Sequence, residues 1–91
     1  MRAMFIIGLV TGALTASSGA LASAQCTNEP ASKWIPEAEM KNRIAAMGHS
    51  IEIFKKVRGN CYEIYGRNKE GRRIEIYFNP VTGDIVKENV E

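Results

Sequence analysis

Few residues in this chain could do chemistry: Cys26, Cys61, the single His49, and the carboxylates Glu63, Glu75 and Asp84. The cysteines are 35 positions apart, far from the C-x-x-C spacing of a redox dithiol. In an oxidising compartment two thiols allow one intramolecular pairing, so a structural Cys26–Cys61 disulfide is expected. On the chain-entropy account a closed loop of that length contributes about 4 kcal/mol. A metal site needs more thiolate or imidazole ligands than a lone His49 supplies. A catalytic base needs a nucleophile and an orienting acid, and none pairs with His49, which reads as a surface loop residue. Asp84 with Asn79 falls well short of the six to eight oxygens calcium takes, so both are assigned to a turn. Glu63 and Glu75 fall on one face of neighbouring strands, where they can approach each other or basic neighbours; cross-strand charge pairing is the ordinary reading. No catalytic residue, metal ligand or cofactor is expected.

The elements that position these residues centre on Asn60 to Val86, two alternating apolar runs separated by a turn at Asn68-Lys69-Glu70-Gly71 and closed by Asn79-Pro80-Val81-Thr82-Gly83. The alternation predicts strands over 50–58, 61–67 and 72–79, with a short fourth over 84–87. Ile51, Ile53, Val57, Tyr62, Ile64, Ile74, Ile76, Phe78 and Ile85 are placed on a core face. Glu52, Phe54, Lys56, Glu63, Tyr65, Glu75 and Tyr77 are placed on a half-open face. Upstream, Cys26 to Lys33 reads as an extended lead-in. A helix of about three turns starts near Ile35-Pro36-Glu37, where proline suits the first turn and Glu37 and Glu39 favour the positive dipole end. Met40, Ile44 and Met47 give it one apolar side, and Gly48 a left-handed cap. So short a helix must pack on the sheet. Trp34, just before it, reads as a lid on one end of the core. The expected fold class is α+β, one short helix on a three- to four-stranded antiparallel sheet.

The chain has 91 residues, and its first 24 read as an export signal. Arg2 precedes an apolar run from Met4 to Val10, and Ala22-Ser23-Ala24 is the small-x-small pattern that signal peptidase accepts. The apolar stretch is shorter than the roughly 20 residues a membrane span needs. Lipidation at Cys26 is disfavoured because Gln25 fills the preceding position, where a small residue is required. The expected organisation is therefore a signal peptide over 1–24 and one domain over 25–91, with no membrane span after cleavage. Without Arg2 the remaining charges nearly balance, 11 basic against 10 acidic. Such a balance offers no basic stripe for nucleic acid. A domain of this size is too small for its core alone to secure it, which makes the disulfide important.

What remains is the open face. Phe54, Tyr65 and Tyr77 are expected to cluster there, and grouped exposed aromatics on a small domain suit a docking surface for protein or peptide. Strand propensity alone also places aromatics on such a face. Addition of a peptide strand at a sheet edge is a second mode, and unpaired edges leave monomer and weak dimer both open.

Trp34-Ile35-Pro36-Glu37-Ala38-Glu39, the closing Gly48, the Tyr62-Glu63-Ile64 strand, Gly71-Arg72-Arg73-Ile74-Glu75-Ile76-Tyr77 and the terminal Asn79-Pro80-Val81-Thr82-Gly83-Asp84-Ile85-Val86 together resemble a PepSY domain. The likeness is to the short, secreted, single-domain bacterial kind with two cysteines. It covers about 26–86, and its most specific part is the terminal turn, where Asn79 stands in place of the more usual Asp. The resemblance implies a helix on an antiparallel sheet and no catalytic residues. It further implies a periplasmic or secreted, non-enzymatic protein-binding module whose partner is a protein or peptide, such as a secreted peptidase that it inhibits or regulates. An envelope sensory or small-ligand-binding module is the alternative.

Overall fold

A computed structural model describes residues 24–91, and the expected leader lies outside the described residues except for Ala24. Helix α1 spans Glu37–Ala46, followed by β1 (Ser50–Val57), β2 (Cys61–Arg67), β3 (Arg73–Phe78) and β4 (Ile85–Val90). The four strands form one antiparallel sheet in sequence order, joined by short turns. The α+β expectation therefore holds, with four strands and one helix. Because each strand pairs with the next in sequence, the sheet needs no crossover.

Pro36 occupies the N-cap of α1, one position earlier than its expected place inside the first turn. Ion pairs Glu37–Lys41 at 3.0 Å and Glu39–Arg43 at 2.8 Å run along the exposed side at i,i+4 spacing. Gly48 ends the helix connection at φ 95°, a conformation that disfavours any side chain. Met40 and Ile44 are fully buried, whereas Met47 sits past the helix end and is exposed. The apolar side of α1 is thus two residues, narrower than expected.

These two side chains join Tyr62, Ile64, Ile74, Ile76 and Phe78 in a single core, with Trp34, Ile35, Ile51 and Phe54 packed around it. The lead-in is not wholly extended, since Ala31–Lys33 forms a 3-10 turn capped by Pro30. That turn carries Trp34 to the sheet, where its ring meets Tyr62 edge-on at 5.5 Å and its indole N–H donates to the Glu29 carbonyl. The Tyr62 hydroxyl in turn donates to the Ile35 carbonyl at 2.7 Å, and the Ile35 amide donates to the carbonyl of buried Pro80. Trp34 is structural, as its position before the helix suggested.

A bulge in β1 changes which residues face the helix. Ile51 pairs with Gly66 but Ile53 pairs with Tyr65, leaving Glu52 as an extra residue. Side chains alternate strictly with register, so one inserted residue exchanges the two faces beyond it. Phe54 consequently pairs with Ile64 on the helix face and Lys56 with Tyr62, while Ile53 moves to the open face and is 51% exposed. All three placements reverse the expected ones. Gly66 is what admits the bulge, because a Cβ there would run into the Ser50 carbonyl. At the far side, β4 is longer than expected and exposed along its whole length, Ile85 included. Charged residues on an edge strand keep it from pairing with other chains.

The Asn79–Asp84 turn ties the lead-in at Cys26 to the end of β3. The Asn79 Oδ1 accepts from the amides of Val81 and Thr82, which fixes the side-chain orientation and leaves Nδ2 to donate to the Cys26 carbonyl at 3.1 Å. An aspartate could make the first two bonds but not the third. Asn79→Asp is therefore expected to lower stability by about 1 kcal/mol, read as a lower urea midpoint at unchanged slope. An unchanged midpoint would show that the Cys26 contact contributes nothing.

Candidate functional site on the open sheet face

Strand register lays two rows of side chains across the face turned away from α1. One row runs Lys55, Glu63, Tyr77, Lys87, and the next runs Ile53, Tyr65, Glu75, Asn89. Glu63 stands opposite Tyr77 and Glu75 opposite Tyr65, so the two acids lie on one diagonal of a square and the two tyrosines on the other. Long side chains reach across such a diagonal.

The acids do meet. Their carboxyl groups come within hydrogen-bonding reach of each other and of both tyrosine hydroxyls. Burial pushes the Glu63 carboxyl above its ordinary range, and the adjacent Glu75 adds to this. Glu75 is held below its ordinary range, first by the hydrogen bond from Glu63 and then by those from Tyr65, Tyr77 and Asn89. Two carboxylates in contact oppose each other's ionisation, so of the pair Glu63 is the one that gives up its proton less readily. Burial, then the nearby acid charges, pushes the Tyr65 hydroxyl up to about 12, and Tyr77 is raised by the same causes. Both phenols are donors at any physiological pH, and the Tyr77 hydroxyl donates to Glu75 Oε2 at 3.3 Å.

Glu63 is only 3% exposed, although it lies on a face with no second layer among the described residues. Its own neighbours hide it. The ammonium of Lys55 sits 5.5 Å from the Tyr65 ring centre and that of Lys87 sits 6.0 Å from the Tyr77 ring centre. Despite this company, Glu63 Oε2 is buried and has no hydrogen-bond partner. Beside Glu75 lies a shallow pocket of about 80 Å³ whose walls include Tyr65, Arg73 and Asn89.

The structure brings Tyr65 and Tyr77 together on the open face, as expected, but not Phe54. That ring packs against Tyr62 at 4.9 Å on the helix side, with the Lys41 ammonium 5.3 Å from its centre. The bulge at Glu52 is the reason. Tyr77 is also less accessible than its place on an open face suggests, at 9% exposure against 38% for Tyr65. Ile53 is the residue that sequence reasoning missed; the adjacent apolar pair Ile53-Phe54, which breaks the alternation, was the available signal. Cys26 and Cys61 form the expected disulfide, with Cα atoms 5.2 Å apart. His49 lies in the helix–strand connection but is half-buried. Among the described residues no three His, Cys, Asp or Glu side chains are grouped to hold a metal ion, and no helix is long and apolar enough to cross a membrane.

No curated protein and no solved structure matches the chain significantly. A family model described as peptidase propeptide and YPEB domain matches residues 6–89, a span that starts inside the segment read as a leader and takes in the helix and the whole sheet. By that match the chain belongs to the PepSY_2 family, that of the peptidase propeptide and YPEB domain.

Proposed function

We propose that this protein is an exported, non-catalytic module that binds a peptidase through the open face of its sheet and restrains it. The observation that carries this reading is the row Ile53–Tyr65, cross-strand neighbours that are both exposed on a face no other element covers among the described residues. Membership of a propeptide family supports a peptidase as the partner. Export is supported by the Cys26–Cys61 disulfide, which persists in oxidising compartments such as the periplasm or the extracellular medium. The alternative of a small-ligand module finds no support in the pocket beside Glu75, whose volume of about 80 Å³ is well under the roughly 300 Å³ at which ligand sites begin.

The test is to incubate the oxidised 25–91 protein with a panel of secreted and envelope metallopeptidases and follow their rates. Slowing of one of them, with an inhibition constant at least about tenfold weaker for Tyr65→Ala, is the expected result. Rates that are unchanged across the panel, or inhibition indifferent to Tyr65→Ala, would overturn the reading.

A further inference from the structure

Cleavage after Ala24 makes Gln25 the first residue of the exported protein. A glutamine in that position carries its own reaction partner. Its side-chain carbonyl carbon is placed to close an unstrained five-membered ring on its α-nitrogen. Asparagine, one methylene shorter, would have to close a strained four-membered ring.

The fold decides whether such a terminus is free to react. Gln25 is exposed, whereas Ala24, Cys26 and Thr27 on either side are half-buried. Just downstream the chain is anchored. Cys26 is crosslinked to Cys61, its amide donates to the Gly59 carbonyl at 2.8 Å, and its carbonyl accepts from Asn79 Nδ2 at 3.1 Å. The Thr27 carbonyl accepts from Asn60 Nδ2. Upstream, the Ala24 carbonyl lies against the bare Cα of Gly59, so close that a Cβ there would collide with it. Removing Ala24 ends that contact and leaves Gln25 in solvent, directly ahead of a fixed Cys26.

We propose that Gln25 cyclises once it becomes the N-terminus, so that the exported protein begins with pyroglutamate. The inference rests on export with cleavage after Ala24 and goes beyond the peptidase reading, which it does not need. In the step, the neutral α-amine of Gln25 attacks its own Cδ. A C–N bond forms within the ring, the bond from Cδ to the side-chain nitrogen breaks, and that nitrogen leaves as ammonia with the proton the amine gives up. Glutamine becomes lactam plus ammonia, with no change of oxidation state and no co-reactant. Both reacting groups belong to one residue, so the step is unimolecular and the entropy of bringing them together is already met. The product nitrogen is acylated and uncharged, as it was in the peptide bond to Ala24, and the terminal cation is gone. An aminopeptidase needs a free α-amine, so the lactam closes this chain end to exopeptidases. It thereby guards the lead-in that carries Trp34 to the core.

The experiment reads intact mass on two samples. In the first, the full-length chain is expressed for export in a bacterial host and the oxidised product is recovered. In the second, a 25–91 protein is released from a fusion by a protease that cuts directly before Gln25, and is left to stand at neutral pH. The exported product should have the mass of oxidised 25–91 less one ammonia and should resist amino-terminal sequencing. The released protein should lose one ammonia with time. Gln25→Asn should keep its amine in both samples and lose residue 25 to an aminopeptidase that leaves the cyclised native protein intact. Its Tm should be unchanged, because residue 25 is exposed and every anchor lies after it. An exported product that starts at Gln25 with a free amine would overturn the proposal while leaving the leader cut in place. A product that starts at any other residue would overturn both. A released protein that keeps its full mass would also overturn the proposal, since the step is held to need nothing but Gln25 itself.

Discussion

Replacing both cysteines, as Cys26→Ala/Cys61→Ala, is expected to lower stability by about 4 kcal/mol, which follows from releasing a loop of 35 residues in the unfolded chain. Small domains sit near the low end of the usual range of about 5–15 kcal/mol, so most of the stability is at stake. In thermal melts the loss corresponds to a fall in Tm on the order of 20 °C. The same change should appear on reduction of the native protein. The effect is also local: the disulfide pins a lead-in that is otherwise held by separate hydrogen bonds, from the Cys26 amide to the Gly59 carbonyl, from Asn60 Nδ2 to the Thr27 carbonyl and from Asn79 Nδ2 to the Cys26 carbonyl. Those bonds should lose hydrogen-exchange protection before the β2–β3 pairing does. A double variant that melts within a few degrees of the native protein would show that the fold does not depend on the crosslink.

The parts of this structure that could be read from sequence are those where one local signal dominates. Pro36 with Glu37 and Glu39 marked the helix start, Gly48 its end, and the Asn79–Asp84 turn the close of the meander. β2 and β3 were legible because their apolar residues alternate without interruption from Tyr62 to Ile64 and from Ile74 to Phe78. β4 was read three residues short because Glu88 and Asn89 look like loop. An edge strand with no buried face has no apolar alternation to display, and its polarity is what protects it. The faces of β1 went wrong for a different reason. Ile51-Glu52-Ile53 alternates as a regular strand does, and nothing before Phe54 signals an inserted residue. The bulge is set by tertiary contacts, the bare backbone of Gly66 on β2 and the pairing of Phe54 with Ile64. On the open face, sequence placed Glu63 and Glu75 together and left open whether they approach each other or basic neighbours, with cross-strand charge pairing as the ordinary reading. Their contact with each other follows from the diagonal geometry and from Lys55 and Lys87 being drawn onto the tyrosine rings.

Phe78→Ala is expected to cost roughly 3–5 kcal/mol, the usual range for removing a fully buried phenylalanine and leaving a cavity. Phe78 is wholly inaccessible, joins Tyr62 on β2 to Ile85 on β4 across the sheet, and belongs to the only core among the described residues. The consequence should be a protein unfolded or nearly so once the crosslink is also reduced. The same series decides the β1 register. With the bulge in place, Phe54→Ala removes a half-buried ring from between Tyr62 and the Lys41 side chain and should cost about 2 kcal/mol, whereas Ile53→Ala trims a half-exposed side chain and should cost less than about 1 kcal/mol. A regular strand without the bulge gives the opposite order, because Ile53 would then face Met40 and Ile44 and Phe54 would face water. Urea unfolding of the three variants reads out the ranking directly. Phe78 above Phe54 above Ile53 fits the bulged sheet; Ile53 above Phe54 would move Phe54 back to the open face and take Ile53 out of the docking row.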